Sequence, residues 1–573
     1  MGSLLLANEA IALGAYEADV KVVSSYPGTP STEITESASK YDSIYTEWAP
    51  NEKVALEVAI GACFSGVRSM CCMKHVGLNV AADPLFTLSY TGVNAGLVIV
   101  VADDPGMHSS QNEQDSRYYA LSAHIPMLEP ADSSEARDFV KIAYMISEKY
   151  DTPVIIRLTT RIAHSRSFVE PQERIEIQNK PYLKDVSKYV MMPSMARFRH
   201  LHVEKRENDL SRDISLYNTN SIVLRSQKLG IVCSGAVYQY VMEASDASVF
   251  KLGMIYPIDF DAVRTFASQV QELIVVEELE PFFEKELLSQ GIQCHGKEIF
   301  GRQGEFCVSY IKQKLEGGLT TEKIKDKIPQ RPPVMCAGCP HRSVFYALKK
   351  LKIKVCGDIG CYALGALEPL SSVDLCVCMG ASIGMAHGFD KGNTGEGENT
   401  VAVIGDSTFL HSGINSLINS TYNNGTSTIV ILDNSITAMT GHQDNPSTGI
   451  TIKGQQGHKI DLYRLCLACG AGSVRVVDAY NIQEVTNALK EEISNKCVSV
   501  IIARRPCALL NKKYPPAYFI ETKKCIYCKQ CLAIGCPAIE NLGNSVRINK
   551  ELCVGCGVCT QMCKFEAIIS EGK

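Results

Sequence analysis

No stretch of the chain reaches the roughly 18 consecutive apolar residues that a membrane-crossing helix needs, so no transmembrane span is expected. Met1 to Ile11 carries a short apolar run with no basic region before it, which argues against a secretory signal and makes the cytoplasm the expected compartment. A surplus of one charge is also lacking: 57 Lys and Arg oppose 62 Asp and Glu, the net charge is −5, and the basic residues are dispersed. Neither nucleic acid nor an anionic membrane surface is therefore an expected partner; a small-molecule substrate or a protein surface fits better. Low-complexity tracts are absent, and there is one Trp. Cysteine is abundant, with 24 residues beside 16 Met. Oxygen damages thiols and thioethers, so this content suggests an anaerobic or strongly reducing setting.

Eight of the 24 cysteines fall in the last 49 residues as two similar combs, Cys525-x2-Cys528-x2-Cys531-x4-Cys536-Pro537 and Cys553-x2-Cys556-x2-Cys559-x3-Cys563. Thiolates at these spacings wrap a cubane iron–sulfur cluster from one loop, and the fourth Cys of each comb reaches across to the other cluster. The expected ligand sets are Cys525, Cys528, Cys531 and Cys563 for one [4Fe-4S] cluster, and Cys553, Cys556, Cys559 and Cys536 for the other. Zinc prefers separated C-x2-C pairs or added His, and this tail has no His. Disulfides are disfavoured in a reducing cell interior. Between Lys512 and Lys573 nine Lys or Arg outnumber five Asp or Glu, which would offset anionic clusters. Two departures from the usual comb stand out: Cys531-x4-Cys536 is one residue longer, and Lys564 replaces the Pro expected after Cys563.

Up to about residue 505, apolar strand-like runs alternate with helix-like segments, the pattern of parallel α/β layers. Expected strands cover residues 20–24, 96–102, 153–157, 229–233, 273–276, 400–404, 428–432 and 499–503. Two segments break the pattern. Residues 166–220 are charged and irregular, with Arg197, Arg199, Lys205, Arg206 and Glu207 close together, and read as a linker or strap. Residues 316–333, closed by a Pro pair, read as a second linker. The expected blocks are 1–165, 221–315, 334–511 and 512–573.

Within 334–511, Gly405-Asp406-Ser407 and Asp433-Asn434 each follow an apolar strand. Adjacent parallel strands would deliver Asp406 and Asn434 to one carboxyl edge, where doubly wound sheets bind ligands. A carboxylate and an amide oxygen, joined by a backbone carbonyl such as that of Ile436, form a hard oxygen site for Mg²⁺ holding a diphosphate. Gly405 lets backbone approach closely, and Ser407 and Thr408 offer donors to phosphate. Both dipeptides are also common turn-formers.

Taken with Ser435-Ile436-Thr437-Ala438-Met439-Thr440-Gly441-His442-Gln443, these residues resemble the thiamine diphosphate motif of the 2-oxoacid:ferredoxin oxidoreductases. Residues 26–33, YPGTPSTE, are similar to that family's substrate-side loop, and residues 51–57, NEKVALE, to its cofactor-activating segment. The likeness covers the whole chain. It is strongest to members that act on arylpyruvates and fuse both thiamine-binding domains with a two-cluster ferredoxin tail. The implied fold is multidomain α/β: a pyrimidine-binding domain (1–165), a transketolase C-terminal-like domain (221–315), a diphosphate and Mg²⁺ domain (334–511), and an α+β ferredoxin domain with two [4Fe-4S] clusters (512–573).

By the same resemblance, Glu52 is the carboxyl group that activates thiamine, although Asn51-Glu52 also suits a helix cap. Glu57 reads as structural. Gly405, Asp406, Ser407, Asn434, Ile436 and Thr440 would hold the cofactor, and Thr29 would contact the 2-oxoacid or coenzyme A. His75 would meet a carboxylate or act as acid or base, with His108 as a similar case and Arg117 as another carboxylate ligand. Cys336, Cys339, Cys361 and Cys507 resemble the ligands of a third [4Fe-4S] cluster beside thiamine, with Cys466 or Cys469 open as replacements for Cys507. Other cysteines, including Cys63, Cys71, Cys72, Cys376 and Cys378, read as small core residues. The implied reaction is oxidative decarboxylation of indolepyruvate, phenylpyruvate or 4-hydroxyphenylpyruvate with coenzyme A. A smaller β subunit in an α2β2 assembly and an external ferredoxin are the implied partners. Alternatives are another 2-oxoacid, such as phenylglyoxylate or a branched-chain acid, or an electron-transfer subunit with vestigial thiamine domains.

Overall fold

A computed structural model describes residues 2–317, 329, 332–392, 400–511 and 513–572. The linker expected at 316–333 lies largely outside the described residues. The chain divides into two compact units, Met1–Lys327 and Ile328–Lys573. Among the described residues no helix is long and apolar enough to cross a membrane.

In the first unit, β-branched runs such as LVIVVAD form strands buried on both faces, as parallel strands between helices must be. The seven-stranded sheet has the order Met254–Tyr256, Met127–Leu128, Val154–Thr159, Leu97–Asp103, Ser69–Lys74, Val22–Ser25, Tyr45–Trp48. All neighbours are parallel except the first pair. Met254–Tyr256 comes from the block expected as a separate domain, so this sheet crosses that boundary. A four-stranded sheet follows, in which Leu229–Ser234 lies between Glu272–Val275 and Ser248–Leu252, and Ser221–Val223 closes the far edge antiparallel.

Residues 166–220 depart from the irregular strap expected. They contain strand Arg166–Val169, paired with Ser3–Leu6, and the 21-residue helix Pro193–Asp213. The helix is hard to see in sequence because it is anchored by charge rather than by an apolar stripe. Arg206 is buried and donates to the carbonyls of Ser89, Asp151 and His124, and Arg199 pairs with Asp151 at 2.8 Å.

The second unit holds a five-stranded parallel sheet in the order Lys354–Cys356, Thr400–Gly405, Thr428–Asp433, Ser499–Arg504, Ser473–Asp478. Its tail is two short hairpins, Tyr518–Ile520 with Ile568–Ser570 and Ile539–Asn541 with Val546–Ile548, and two 3-10 turns, Gln530–Ile534 and Val558–Met562. A small apolar core of Ile534, Ile539, Val546, Ile548, Val558, Met562 and Ile568 takes in Ile482 from the sheet domain. Gln561 completes that docking: it accepts from the Ile482 N–H at 3.0 Å and donates to the Tyr480 carbonyl at 2.7 Å.

Candidate cofactor and cluster sites

Parallel strands share a direction, so the loops after them open on one edge. In the first unit that edge collects Thr29 after Val22–Ser25, Glu52 after Tyr45–Trp48, His75 after Ser69–Lys74, and Asp104 after Leu97–Asp103. Glu52 is the first residue of helix Glu52–Phe64, where the helix dipole favours a carboxylate, and it is 4% exposed. Asn51 takes the capping duty by accepting from the Val54 N–H at 2.9 Å. Glu57, one turn on, is exposed and paired with Lys53. A Cβ on Gly77 would stand 2.6 Å from the Glu52 Cγ and Oε1, so the carboxylate rests directly on glycine backbone. Gly77→Ala is therefore expected to cost about 1–3 kcal/mol of stability or to displace Glu52, read as a lower Tm together with lost turnover; an unaltered variant would show that the contact yields.

Lys74 is buried and donates to the Ser109 carbonyl at 2.6 Å; burial pushes its ammonium down to about 8. Ser109 in turn donates to the Thr29 carbonyl at 3.2 Å and, through its N–H, to Asp104 at 2.8 Å, which joins the three loops. His75 is 1% exposed, and burial lowers its pKa, so the ring is neutral. The Ala102 carbonyl is near enough to act on its charge, yet neither ring nitrogen makes a hydrogen bond of good geometry. A buried imidazole left in that state has capacity for a ligand. His108 is half exposed and pairs with Glu305 at 3.1 Å. Arg117 is not available to a substrate. It is 1% exposed, bound to Asp115 and Glu277 and to the carbonyls of Glu278 and Glu280, with its guanidinium over Phe282 and Phe283.

In the second unit the matching edge gathers Asp358, Asp406, Asn434 and Cys507. Asp406 is 2% exposed and accepts from the Ser407 N–H at 2.8 Å, the Ser435 N–H at 3.0 Å and the Ser447 hydroxyl at 3.3 Å. Burial first, and the Asp433 carboxylate second, push it up to about 7. Asp433 is instead paired with Arg504 at 2.6 Å. The Asn434 amide oxygen accepts from the Ile436 N–H at 3.3 Å, and Thr437 donates to the Ser407 hydroxyl at 2.9 Å. Buried oxygens around an acid driven toward neutrality fit a hard cation, which would restore its charge. Thr440 donates to the Gln443 side chain at 2.6 Å within the turn that follows.

The tail cysteines line two separate cavities. One is bordered by Cys525, Cys528, Cys531 and Cys563, the other by Cys553, Cys556, Cys559 and Cys536. Each therefore draws its fourth thiol from the opposite comb. The second cavity is also lined by Cys339 and Arg342. Burial pushes the Cys339 thiol up to about 12, and Cys361 and Cys336 add to the shift. Cys361 is raised by burial and then by Cys507 and Cys336, so these four thiols share one neighbourhood. Cys466 is raised by burial and then by Cys469, whereas Cys507 is raised by burial and then by Cys336. Such thiols become thiolates only with a cation among them, the fit expected of a cluster. Among the described residues no three His, Cys, Asp or Glu close on a single metal ion; a cubane differs, because each iron takes one thiolate and the sulfurs stand apart. Cys63, Cys71 and Cys72 are buried as expected, but Cys376 and Cys378 are exposed, because residues 374–378 lie at the edge of the five-stranded sheet.

Sequence reasoning missed two residues. Asp358, wholly buried, accepts the N–H groups of Ile359, Gly380 and Ser382 and pins two loops at the Asp406 edge. Its signal was a Gly-Asp pair after a short strand, a repeat of Gly405-Asp406. Arg342 had none, since nothing local marks a buried cation.

Comparison with known proteins follows the same outline. Residues 13–212 match the family described as pyruvate flavodoxin/ferredoxin oxidoreductase, thiamine diphosphate-binding. Residues 358–503 match the thiamine pyrophosphate enzyme C-terminal TPP-binding domain, and residues 546–569 the 4Fe-4S binding domain. The chain is 40% identical to the indolepyruvate oxidoreductase subunit IorA of Pyrococcus abyssi, over 100% of this chain and 97% of the relative. It is 38% identical to IorA of Archaeoglobus fulgidus, over 98% and 97%. A solved structure, 2-oxoglutarate:ferredoxin oxidoreductase from Magnetococcus marinus with 2-oxoglutarate, coenzyme A and succinyl-CoA bound, is similar at TM-score 0.48 and 16% identity, over 55% of this chain and 65% of that one.

Proposed function

This chain belongs to the indolepyruvate oxidoreductase subunit IorA family, and from that premise we propose that it carries out ferredoxin-dependent oxidative decarboxylation of arylpyruvates: indolepyruvate, phenylpyruvate and 4-hydroxyphenylpyruvate. A 2-oxoacid, coenzyme A and two oxidised ferredoxins give an acyl-CoA, CO₂, a proton and two reduced ferredoxins. When bound, thiamine diphosphate supplies the nucleophilic carbon and electron sink for decarboxylation, and the iron–sulfur clusters carry single electrons. Glu52 holds a proton at the pyrimidine side, while Thr29, Lys74 and His75 orient the 2-oxoacid. Asp406, Asn434 and the Ile436 carbonyl hold Mg²⁺, and Ser407 and Thr440 bind near the diphosphate. Cys336, Cys339, Cys361 and Cys507 hold the inner cluster. The assembly is an α2β2 complex with a smaller subunit, reducing an external ferredoxin in the cytoplasm.

The observation that carries this reading is a single hydrogen bond: the Asn434 carbonyl accepts from the Cys507 N–H at 2.9 Å. It joins a proposed Mg²⁺ ligand to a proposed cluster ligand, so the carbon chemistry and the first electron carrier occupy one sheet edge. Anaerobic reduction of ferredoxin by indolepyruvate and coenzyme A, with the small subunit present, tests the activity; turnover with 2-oxoglutarate or pyruvate but not with arylpyruvates would refute the substrate class. Iron analysis tests the clusters separately. About twelve irons per chain are expected for three cubanes, with about eight in Cys507→Ser; about eight in the unaltered chain would eliminate the inner cluster.

A further inference from the structure

Arg342, second residue of helix His341–Leu351, is 4% exposed. Its guanidinium has no carboxylate partner among the described residues. Instead it donates to four backbone carbonyls from two segments. On one side are Met335 and Cys336, the latter at 3.2 Å; on the other are Ile534, at 3.3 Å, and Gly535. The first pair belongs to the Cys336–Cys339 loop. The second lies within Cys531-x4-Cys536, the comb that is one residue longer than usual. That longer segment makes the 3-10 turn Gln530–Ile534 and leaves Gly535 at φ +68, presenting both carbonyls to Arg342. A Cβ on Gly535 would meet Pro369 at 2.9 Å and the Arg342 Nη1 at 3.2 Å. The cysteines that act on the guanidinium's charge are Cys536, Cys339, Cys336 and Cys556, two from each proposed cluster. Arg342 and Cys339 line the cavity of the Cys553 comb and not that of the Cys525 comb.

We propose that Arg342 is a positioning residue for electron transfer: it clamps the tail to the inner-cluster loop and sets the reduction potential of the tail cluster held by Cys536, Cys553, Cys556 and Cys559. The proposal rests on the cluster assignments above. In the step concerned, one electron would pass from a cluster held by Cys336, Cys339, Cys361 and Cys507, which would be oxidised, to one held by Cys536, Cys553, Cys556 and Cys559, which would be reduced, with no bond formed or broken. A reduced cluster is one charge more negative, so a fixed, poorly solvated cation beside it stabilises the reduced form and raises its potential. The Cys525 cluster, whose cavity Arg342 does not reach, lacks this bias. The guanidinium suits the role because its planar fork spans four carbonyls and stays charged when buried.

The test is an EPR-monitored redox titration of the anaerobically purified full chain and of Arg342→Gln, with iron analysis of each. Loss of the cation is expected to lower the reduced-to-oxidised ratio of the Cys536 cluster about tenfold at a given potential, a shift of about 59 mV for one electron. The Cys525 cluster should keep its potential. Equal shifts in both tail clusters, or a shift in neither, would overturn the proposal. If Arg342→Gln loses iron, Arg342→Lys decides: a lysine chain that keeps its iron and the unaltered gap between the two tail potentials supports it, and one that keeps its iron but loses the gap defeats it. Failure of the underlying assignment reads differently, as about eight irons in the unaltered chain.

Discussion

Glu52→Gln should lower 2-oxoacid oxidation by about 10²–10⁴-fold, the range a positioned acid–base group contributes, while iron content and fold stay intact. The amide keeps the shape of the carboxylate, so its packing on Gly77 and the helix start at Asn51 survive. What disappears is the ability to exchange a proton at a buried point. Glu57→Gln is the matched control: it sits on the same helix but is exposed and paired with Lys53, so it should alter stability by no more than about 0.5 kcal/mol and leave turnover alone. The comparison is made as anaerobic dye reduction at saturating thiamine diphosphate and Mg²⁺. Equal rates for Glu52→Gln and the unaltered chain would remove Glu52 from the chemistry.

Asp406→Asn should abolish stabilisation by the cofactor. In the unaltered chain, thiamine diphosphate and Mg²⁺ at about 100 times their Kd should add about 2.7 kcal/mol, visible as a rise in Tm of several degrees. The carboxylate is buried beside Asp433, and both burial and that neighbour oppose its charge. An amide there relieves the repulsion, but the Ser407 and Ser435 N–H groups bind different carboxylate oxygens, so the single amide oxygen accepts one of them and the other loses its acceptor. Relief of the repulsion and the lost hydrogen bond oppose each other, so the empty variant should melt within a few degrees of the unaltered temperature, with no rise on adding cofactor. A variant that still responds to the cofactor would move the Mg²⁺ site away from Asp406.

Much of this site was legible because its signals are local. Comb spacings prescribe which thiols can wrap a cubane, and the cross-comb exchange of Cys536 and Cys563 matches the two cavities. Gly405-Asp406 and Asp433-Asn434 end strong β-branched runs, and all eight expected strands lie within two residues of observed ones. The short strand Lys354–Cys356 escaped the pattern, and with it the part played by Asp358.

By itself, then, the sequence determined the parallel α/β class, the grouping of the eight tail cysteines and the strand-end positions of Glu52, Asp406 and Asn434, because each depends on a periodicity or spacing within one segment. Only the tertiary structure decided which buried charges serve the site and which serve the fold. Arg117 and Arg342 look alike in sequence, yet one is neutralised by Asp115 and Glu277 and the other faces four carbonyls between two groups of cysteines. A charge acts through the partners that folding brings to it, and those partners lie up to roughly two hundred residues away in the chain.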